Sequence, residues 1–178
     1  MWRAVSLISM LIVVISPLVA RSQDKARAPR TKTPDGVYAV QRDSLAETDV
    51  LPLKDNEVLL VDHHRYLKTD EKNPPRFVVV HAAPEIILDL AGEPKAVTEG
   101  GEVVRILLTL KPKEAEALER LTSDRRGRLI AIILGGEVVT MHKARETIKG
   151  GAVQITSCTA GAAGYLLEQL KGHRKGKS

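Results

Sequence analysis

The chain contains little of what several common protein classes depend on. Its one cysteine, Cys158, cannot form an internal disulfide, and its apolar neighbours favour a small buried side chain there. Phe, Trp and Tyr make up 3% of the residues, so the core must be built from Val, Ile and Leu. Neither Gly100-Gly101 nor Gly150-Gly151 leads into the Gly-Lys-Ser/Thr of a phosphate-binding loop. These absences exclude a disulfide scaffold and a P-loop enzyme.

Positive charge is abundant but confined to the two ends of the chain. The formal net charge is +5 and the isoelectric point is near 9.4. Residues 21–34 hold five basic residues against one acid, and residues 171–178 hold four against none. The stretch 35–170 has 17 basic and 21 acidic residues, a net charge of −4. Neither basic tail carries aromatics for stacking on bases, so no nucleic-acid partner is expected.

The N-terminus has the pattern of a signal peptide. Arg3 precedes an apolar run broken by Pro17, and small residues precede a cleavage site before Gln23. We expect residues 1–22 to be removed, leaving 156 residues that include a disordered basic linker at 23–35. The alternative is an uncleaved anchor, although the uninterrupted run Leu7–Ile15 is short for a span of ~20 residues. The protein is therefore expected in the periplasm, the cell envelope or outside the cell, with no transmembrane segment in the mature chain.

Periodicity and turn residues predict a β-rich first half. Apolar, β-branched runs between turn signals predict strands. Ala91–Gly101, which contains Gly92, Pro94 and the pair Gly100-Gly101, predicts a loop. The predicted strands are Val37–Asp43, Glu57–Val61, Arg76–His81, Glu85–Leu90 and Val103–Leu110.

The second half combines two helices with a hairpin. Pro112 begins a helix that ends near Ser123, and Thr159 is a candidate cap for a last helix over Ala160–Leu170, which Gly172 would end. Gly135-Gly136 separates two apolar runs, Leu129–Leu134 and Glu137–His142, which is typical of a two-residue hairpin. Leu129–Leu134 is apolar on both faces, so it should be a central strand. A short strand, Ala152–Thr156, follows.

This order of elements predicts an α+β fold. We expect an antiparallel or mixed β-sheet with two helices packed on one face in the C-terminal half, preceded by a β-rich N-terminal lobe. The predicted division is a lobe at 36–101, an α+β domain at 102–171 and a basic tail at 172–178.

Two stretches of the C-terminal half match a known family in turn glycines and strand pattern. One is Gly127-Arg128-Leu129-Ile130-Ala131-Ile132-Ile133-Leu134-Gly135-Gly136-Glu137-Val138-Val139; the other is Arg145-Glu146-Thr147-Ile148-Lys149-Gly150-Gly151, followed by Gln154-Ile155-Thr156. Through them the segment 103–170 resembles the head subdomain of the large periplasmic domain of SecD, a membrane subunit of protein export. The resemblance implies that the family's structural turns fall at Gly127, Gly135, Gly136, Gly150 and Gly151.

The chain also departs from the family's pattern. Gly135 replaces a turn Asp, Thr140-Met141-His142 replaces Ser-Ala-Pro, and Cys158 stands where the family has Phe, which supports a buried Cys158. SecD's membrane helices are missing, so the family's proton-driven export role does not transfer whole.

What the resemblance implies is a fold and a tendency to bind extended polypeptide. We expect a non-enzymatic envelope protein, without cofactor or metal, that binds polypeptide or a protein partner in an accessory role to protein export. Binding would use an exposed strand edge or the groove beside the 129–142 hairpin. The alternative is a structural or interaction module with one specific envelope partner and no export role.

One cluster raises a different alternative, a metal-dependent hydrolase. Asp62, His63 and His64 are adjacent, but neighbouring histidines on a strand point to opposite faces and cannot easily share a metal. Zinc catalysis needs three well-placed ligands. The pattern favours a polar loop with exposed histidines, and no catalytic, cofactor-binding or metal-binding residue is assigned.

Overall fold

Ten strands, one short 3-10 helix and two α-helices make up the described part of the protein. The computed structural model describes residues 33–66, 73–99 and 103–175. The signal peptide and most of the linker therefore lie outside the described residues. In chain order the elements are β1 (Gly36–Ala39), β2 (Arg42–Ser44), the 3-10 helix Glu47–Val50, β3 (Glu57–Asp62), β4 (Arg76–His81), β5 (Ile86–Ile87), β6 (Lys95–Glu99), β7 (Val103–Thr109), α1 (Pro112–Asp124), β8 (Leu129–Leu134), β9 (Glu137–Lys143), β10 (Ala152–Cys158) and α2 (Ala160–Lys175).

The strand that is apolar on both faces is central in the sheet, as predicted. The order in this four-stranded antiparallel sheet is β5-β1-β8-β9. Side chains alternate along a strand, so Ile130 and Ile132 of β8 face one core while Ala131 and Ile133 face the other.

One face of the central sheet shares a core with both helices. Leu118 of α1 and Leu166 and Leu170 of α2 pack there with a second antiparallel sheet of order β10-β7-β6. Aliphatic residues of that second sheet complete the core: Val104, Ile106, Leu108 and Ile155. The predicted α+β class is confirmed.

The opposite face of the central sheet packs on a third antiparallel sheet, of order β2-β4-β3. Its buried Val78 and Val80 meet Tyr38, Ala131 and Ile133 in a second core. Strands from both sides of the predicted boundary near residue 101 therefore share sheets and cores. The division into a lobe and a domain stays a prediction.

Both helix starts match their sequence signals. Pro112 occupies the first turn of α1, and the Thr159 hydroxyl accepts a hydrogen bond from the Ala162 N–H at 3.2 Å. The predicted end of α2 at Gly172 is wrong, because the helix runs to Lys175. A glycine costs a helix about 1 kcal/mol relative to alanine, which is too little to end one that is otherwise supported.

Three segment predictions need correction, one loop and two strands. Lys95–Glu99 is a strand where a loop was predicted, because β7 offers a free edge and Val97 pairs there with Arg105. The predicted strand Glu85–Leu90 shrinks to Ile86–Ile87 and an isolated bridge from Leu90 to Leu110.

The predicted strand Val37–Asp43 is split because the chain changes sheets within it. The Val40 N–H donates to the Leu129 carbonyl at 3.0 Å, in the central sheet. The next N–H, of Gln41, donates to the Val79 carbonyl at 2.8 Å, in the third sheet.

Among the described residues, no helix combines the length and the apolar character that a membrane span requires.

Candidate functional site

A groove of about 590 Å³ lies beside the β8–β9 hairpin, where the sequence led us to expect a binding surface. It is bounded by α1, by the open end of the hairpin, by the loop 144–151 and by the start of β10. We call it the hairpin groove. Its apolar lining consists of Val37, Leu118, Ile130, Ile132, Ala144, Ile148, Ala152 and Val153.

Two edge strands border the hairpin groove. Among the described residues β9 pairs only with β8, and β10 pairs only with β7. His142 and Lys143 of β9 and Val153 and Gln154 of β10 line the groove. An edge strand presents unpaired backbone groups, so each of these strands can accept another strand.

The register shows which backbone groups of β9 face its free edge. The Ala144 N–H donates to the Arg128 carbonyl at 2.9 Å, and the Ala144 carbonyl accepts from the Gly127 N–H at 2.7 Å. The backbone N–H and C=O of Ala144 thus both point to the β8 side of β9. Because backbone direction alternates along an antiparallel strand, those of Lys143 and Met141 point away from β8.

Thr122 holds one wall of the groove in place. Its hydroxyl is fully buried, donates to the Leu118 carbonyl at 2.8 Å and accepts from the Ile148 N–H at 2.9 Å. The loop 144–151 is also tied down where Arg126 Nε donates to the Arg145 carbonyl at 3.2 Å. The sequence analysis assigned no role to Thr122, because its partner Ile148 lies 26 residues further along the chain.

All five predicted turn glycines have a positive φ: Gly127, Gly135, Gly136, Gly150 and Gly151. Gly151 has a second constraint, since a Cβ there would lie 2.6 Å from the Ala115 Cβ. It therefore allows β10 to start directly against α1. Their equivalence to the family's turn residues stays a prediction.

The charged lining of the groove is mostly basic. Lys143 and Arg145 line it together with one carboxylate, that of Glu146. Loss of solvent around the ring lowers the pKa of His142, so the imidazole is neutral at neutral pH. Its Nε2 lies 2.8 Å from the Thr140 hydroxyl.

A polar cluster supports the far end of the hairpin. The Tyr66 hydroxyl donates to the Glu137 carboxylate, which also lies 3.0 Å from Arg65 Nη1. The Tyr66 ring stacks on Tyr165 of α2 with a centroid distance of 6.2 Å. At the turn, the Gly135 N–H donates to Asp35 Oδ1 at 2.6 Å. The long separation of these residues along the chain hid the cluster from sequence reasoning.

The histidine cluster is arranged as a turn. Asp62 is buried and accepts the His64 N–H at 2.8 Å, while His63 is exposed. The described residues contain no group of three or more His, Cys, Asp or Glu placed to hold a metal. The Cys158 side chain is outside the described part, so its burial stays a prediction.

Comparison with known proteins gives one family. A model of the SecDF P1 head subdomain matches residues 69–172, which is more than half of the chain and begins before the stretch where the resemblance was seen. A structure of SecDF, described as a membrane component that enhances protein export, is 29% identical, with a TM-score of 0.41. SecDF in a super-membrane-facing form is 27% identical, also with a TM-score of 0.41. No curated protein matches.

The matches to the two SecDF structures cover only part of this chain and only part of each SecDF chain. Each covers 48% of this chain but only 38% and 11% of the respective SecDF chains. This chain therefore spans much less than two thirds of the SecDF proteins that it resembles.

Proposed function

This chain belongs to the family of SecDF P1 head subdomains, and on that premise we propose that it assists protein export by holding an extended polypeptide in the hairpin groove. The observation that carries this proposal is the position of two edge strands, β9 and β10, on one apolar groove. The protein would act outside the cytoplasm, as an accessory binding protein and not as an enzyme.

Strand addition explains how such a groove would bind chains of different sequence. Backbone N–H and C=O groups of an extended segment pair with an edge strand whatever their side chains are. Alternate side chains then fall on the apolar lining, which includes Ile130, Ile132 and Val153. Export substrates are unfolded while they cross a membrane, so they offer such segments.

The first test compares two substitutions at Lys143. Lys143→Pro removes an N–H at the free edge of β9 but no hydrogen bond to β8, and Lys143→Ala keeps that N–H. With a labelled neutral peptide of alternating Val and Ser, fluorescence anisotropy should show saturable binding to the wild-type protein. Lys143→Pro should weaken binding about fivefold, the effect of one lost hydrogen bond, and Lys143→Ala by less than about twofold.

Amide exchange of the β8–β9 hairpin serves as the folding control for both variants. An absence of saturable binding to the wild-type protein, or equal losses in the two variants with the hairpin intact, would contradict the proposal. Crosslinking in cells then separates the alternative function: translocon subunits or many exported chains support an export role, whereas one defined envelope partner indicates an interaction module.

A further inference from the structure

Four basic residues lie on two segments that pair through their backbones at one end of the hairpin groove, and two of them line the groove. The backbone pairing of Ala144 with Gly127 and Arg128 brings the turn 125–128 beside the end of β9. Arg126 reaches across and donates to the Arg145 carbonyl. We call the resulting cluster the basic rim; its members are Arg126, Arg128, Lys143 and Arg145.

The basic rim is exposed and lacks counter-ions within the described part of the chain. None of its four side chains forms an ion pair with a described carboxylate, although several other cations do, such as Arg42 with Glu57 and Lys111 with Asp89. The contrast is notable because the stretch 35–170 has more acidic than basic residues. Glu146 is the one acid among the described residues that line the groove, and it too has no ion pair within the described part.

The basic rim adjoins the apolar lining, so a ligand that contacts both would carry apolar and acidic groups. Lys143 and Arg145 line the groove that Ile130 and Val153 also line. Unpaired cations beside an apolar surface are complementary to a segment whose apolar residues are followed by carboxylates. We infer that the hairpin groove selects extended peptides in which an apolar stretch is flanked by acidic residues. This inference rests on the proposed function and adds the substrate class.

Other anions fit the groove less well. Nucleic acid is disfavoured because none of the described residues that line the groove is a Phe, Trp or Tyr on which a base could stack. A membrane of anionic lipid presents a flat charged surface, whereas the apolar part of this site is a recess between two strands and a helix. An extended peptide with an apolar stretch and flanking acidic residues can fill the recess and also place carboxylates beside the basic rim.

The test measures the affinity difference between two labelled peptides. Both have the same Val-rich core and end in a run of either Asp or Asn. A rim variant with Arg128→Gln and Arg145→Gln is compared with a control variant, Lys95→Gln and Lys113→Gln, which loses equal charge at exposed sites outside the groove. At low salt the wild-type and control proteins should bind the Asp peptide about tenfold more tightly than the Asn peptide. The rim variant should reduce this preference to about twofold.

Salt provides a second readout. Raising the ionic strength from about 0.02 M to about 0.5 M should remove most of the preference without changing Asn-peptide binding, since exposed charges are screened over a few ångström at high salt.

Each outcome decides one claim. Equal affinity of the wild-type protein for the two peptides overturns the inference and leaves the proposed function standing. An absence of binding to either peptide overturns both. Rim-dependent binding to phosphatidylglycerol vesicles, without any preference between the peptides, replaces the acidic peptide with a membrane surface.

Discussion

At the scale of single residues, Thr122 connects a helix to the wall of the hairpin groove. It is one of few buried polar side chains in the described part of the protein, and its hydroxyl both donates and accepts a hydrogen bond. A buried polar group costs little free energy when it is hydrogen-bonded. Removing that group leaves its buried partner without a hydrogen bond, which is destabilising. The Thr122 hydroxyl therefore helps to hold the loop 144–151 at Ile148, in addition to the Arg126 contact at Arg145.

Replacing Thr122 by Val should lower the free energy of unfolding by about 1–2 kcal/mol, because the Ile148 N–H loses its acceptor. Thr122→Ser keeps the hydroxyl and should recover part of that loss. Urea unfolding followed by circular dichroism measures both. A Val variant as stable as the wild type would show that the hydrogen bond adds nothing.

At the scale of elements, the start of β10 depends on a close approach to α1. Gly150 and Gly151 both have positive φ, of 71° and 69°. Only Gly151 also faces α1, where an added Cβ would meet Ala115, while Gly150 has open space around it. Substitutions at Gly150 and Gly151 can therefore distinguish the cost of backbone strain from the cost of a packing clash.

Gly150→Ala should cost about 1 kcal/mol, the strain of a left-handed alanine. Gly151→Ala should cost about 2 kcal/mol more, since β10 must move away from α1 or clash with it. Thermal unfolding of the two variants gives the comparison. Equal losses would mean that the helix moves aside freely.

Local signals were enough to predict the elements that local chemistry determines. The Gly135-Gly136 hairpin, the Thr159 cap and the central position of Leu129–Leu134 follow from turn conformation, capping and two-sided apolarity. The strand Lys95–Glu99 and the break between β1 and β2 were missed, because each depends on a partner strand distant in sequence. The groove's location was predicted from family resemblance, but its basic rim and the role of Thr122 required the tertiary structure.

At the scale of the whole molecule, two cores share the central sheet and each contains a buried tyrosine. Tyr66 is in the core with the helices, and Tyr38 is in the core with the third sheet, where its hydroxyl donates to the Pro34 carbonyl at 2.6 Å. Burial raises the pKa of both phenols, and neighbouring carboxylates add to it: Asp35 and Glu85 for Tyr38, Glu137 for Tyr66.

The raised pKa values predict a loss of stability in alkali. A phenol whose pKa is higher in the folded than in the unfolded state contributes stability below about pH 10, which is lost as the pH rises, because the unfolded chain ionises first. Tyr66→Phe should therefore make the decline between about pH 10 and 11.5 shallower than in the wild-type protein. Urea midpoints measured across this range check it; parallel curves would refute it.

The pairing of β1 with β8 also bears on how the chain reaches its folded state. Val37 lies near the start of the described chain, yet its strand partner Ile132 lies in the last third. In a chain that emerges from its N-terminus, β1 cannot pair with β8 until the chain has emerged as far as Ile132. During that interval β5 can already pair with one edge of β1, but the edge that β8 covers in the folded protein is open to any other strand. A protein that we propose to hold extended chains for others would itself pass through a stage in which it benefits from being held.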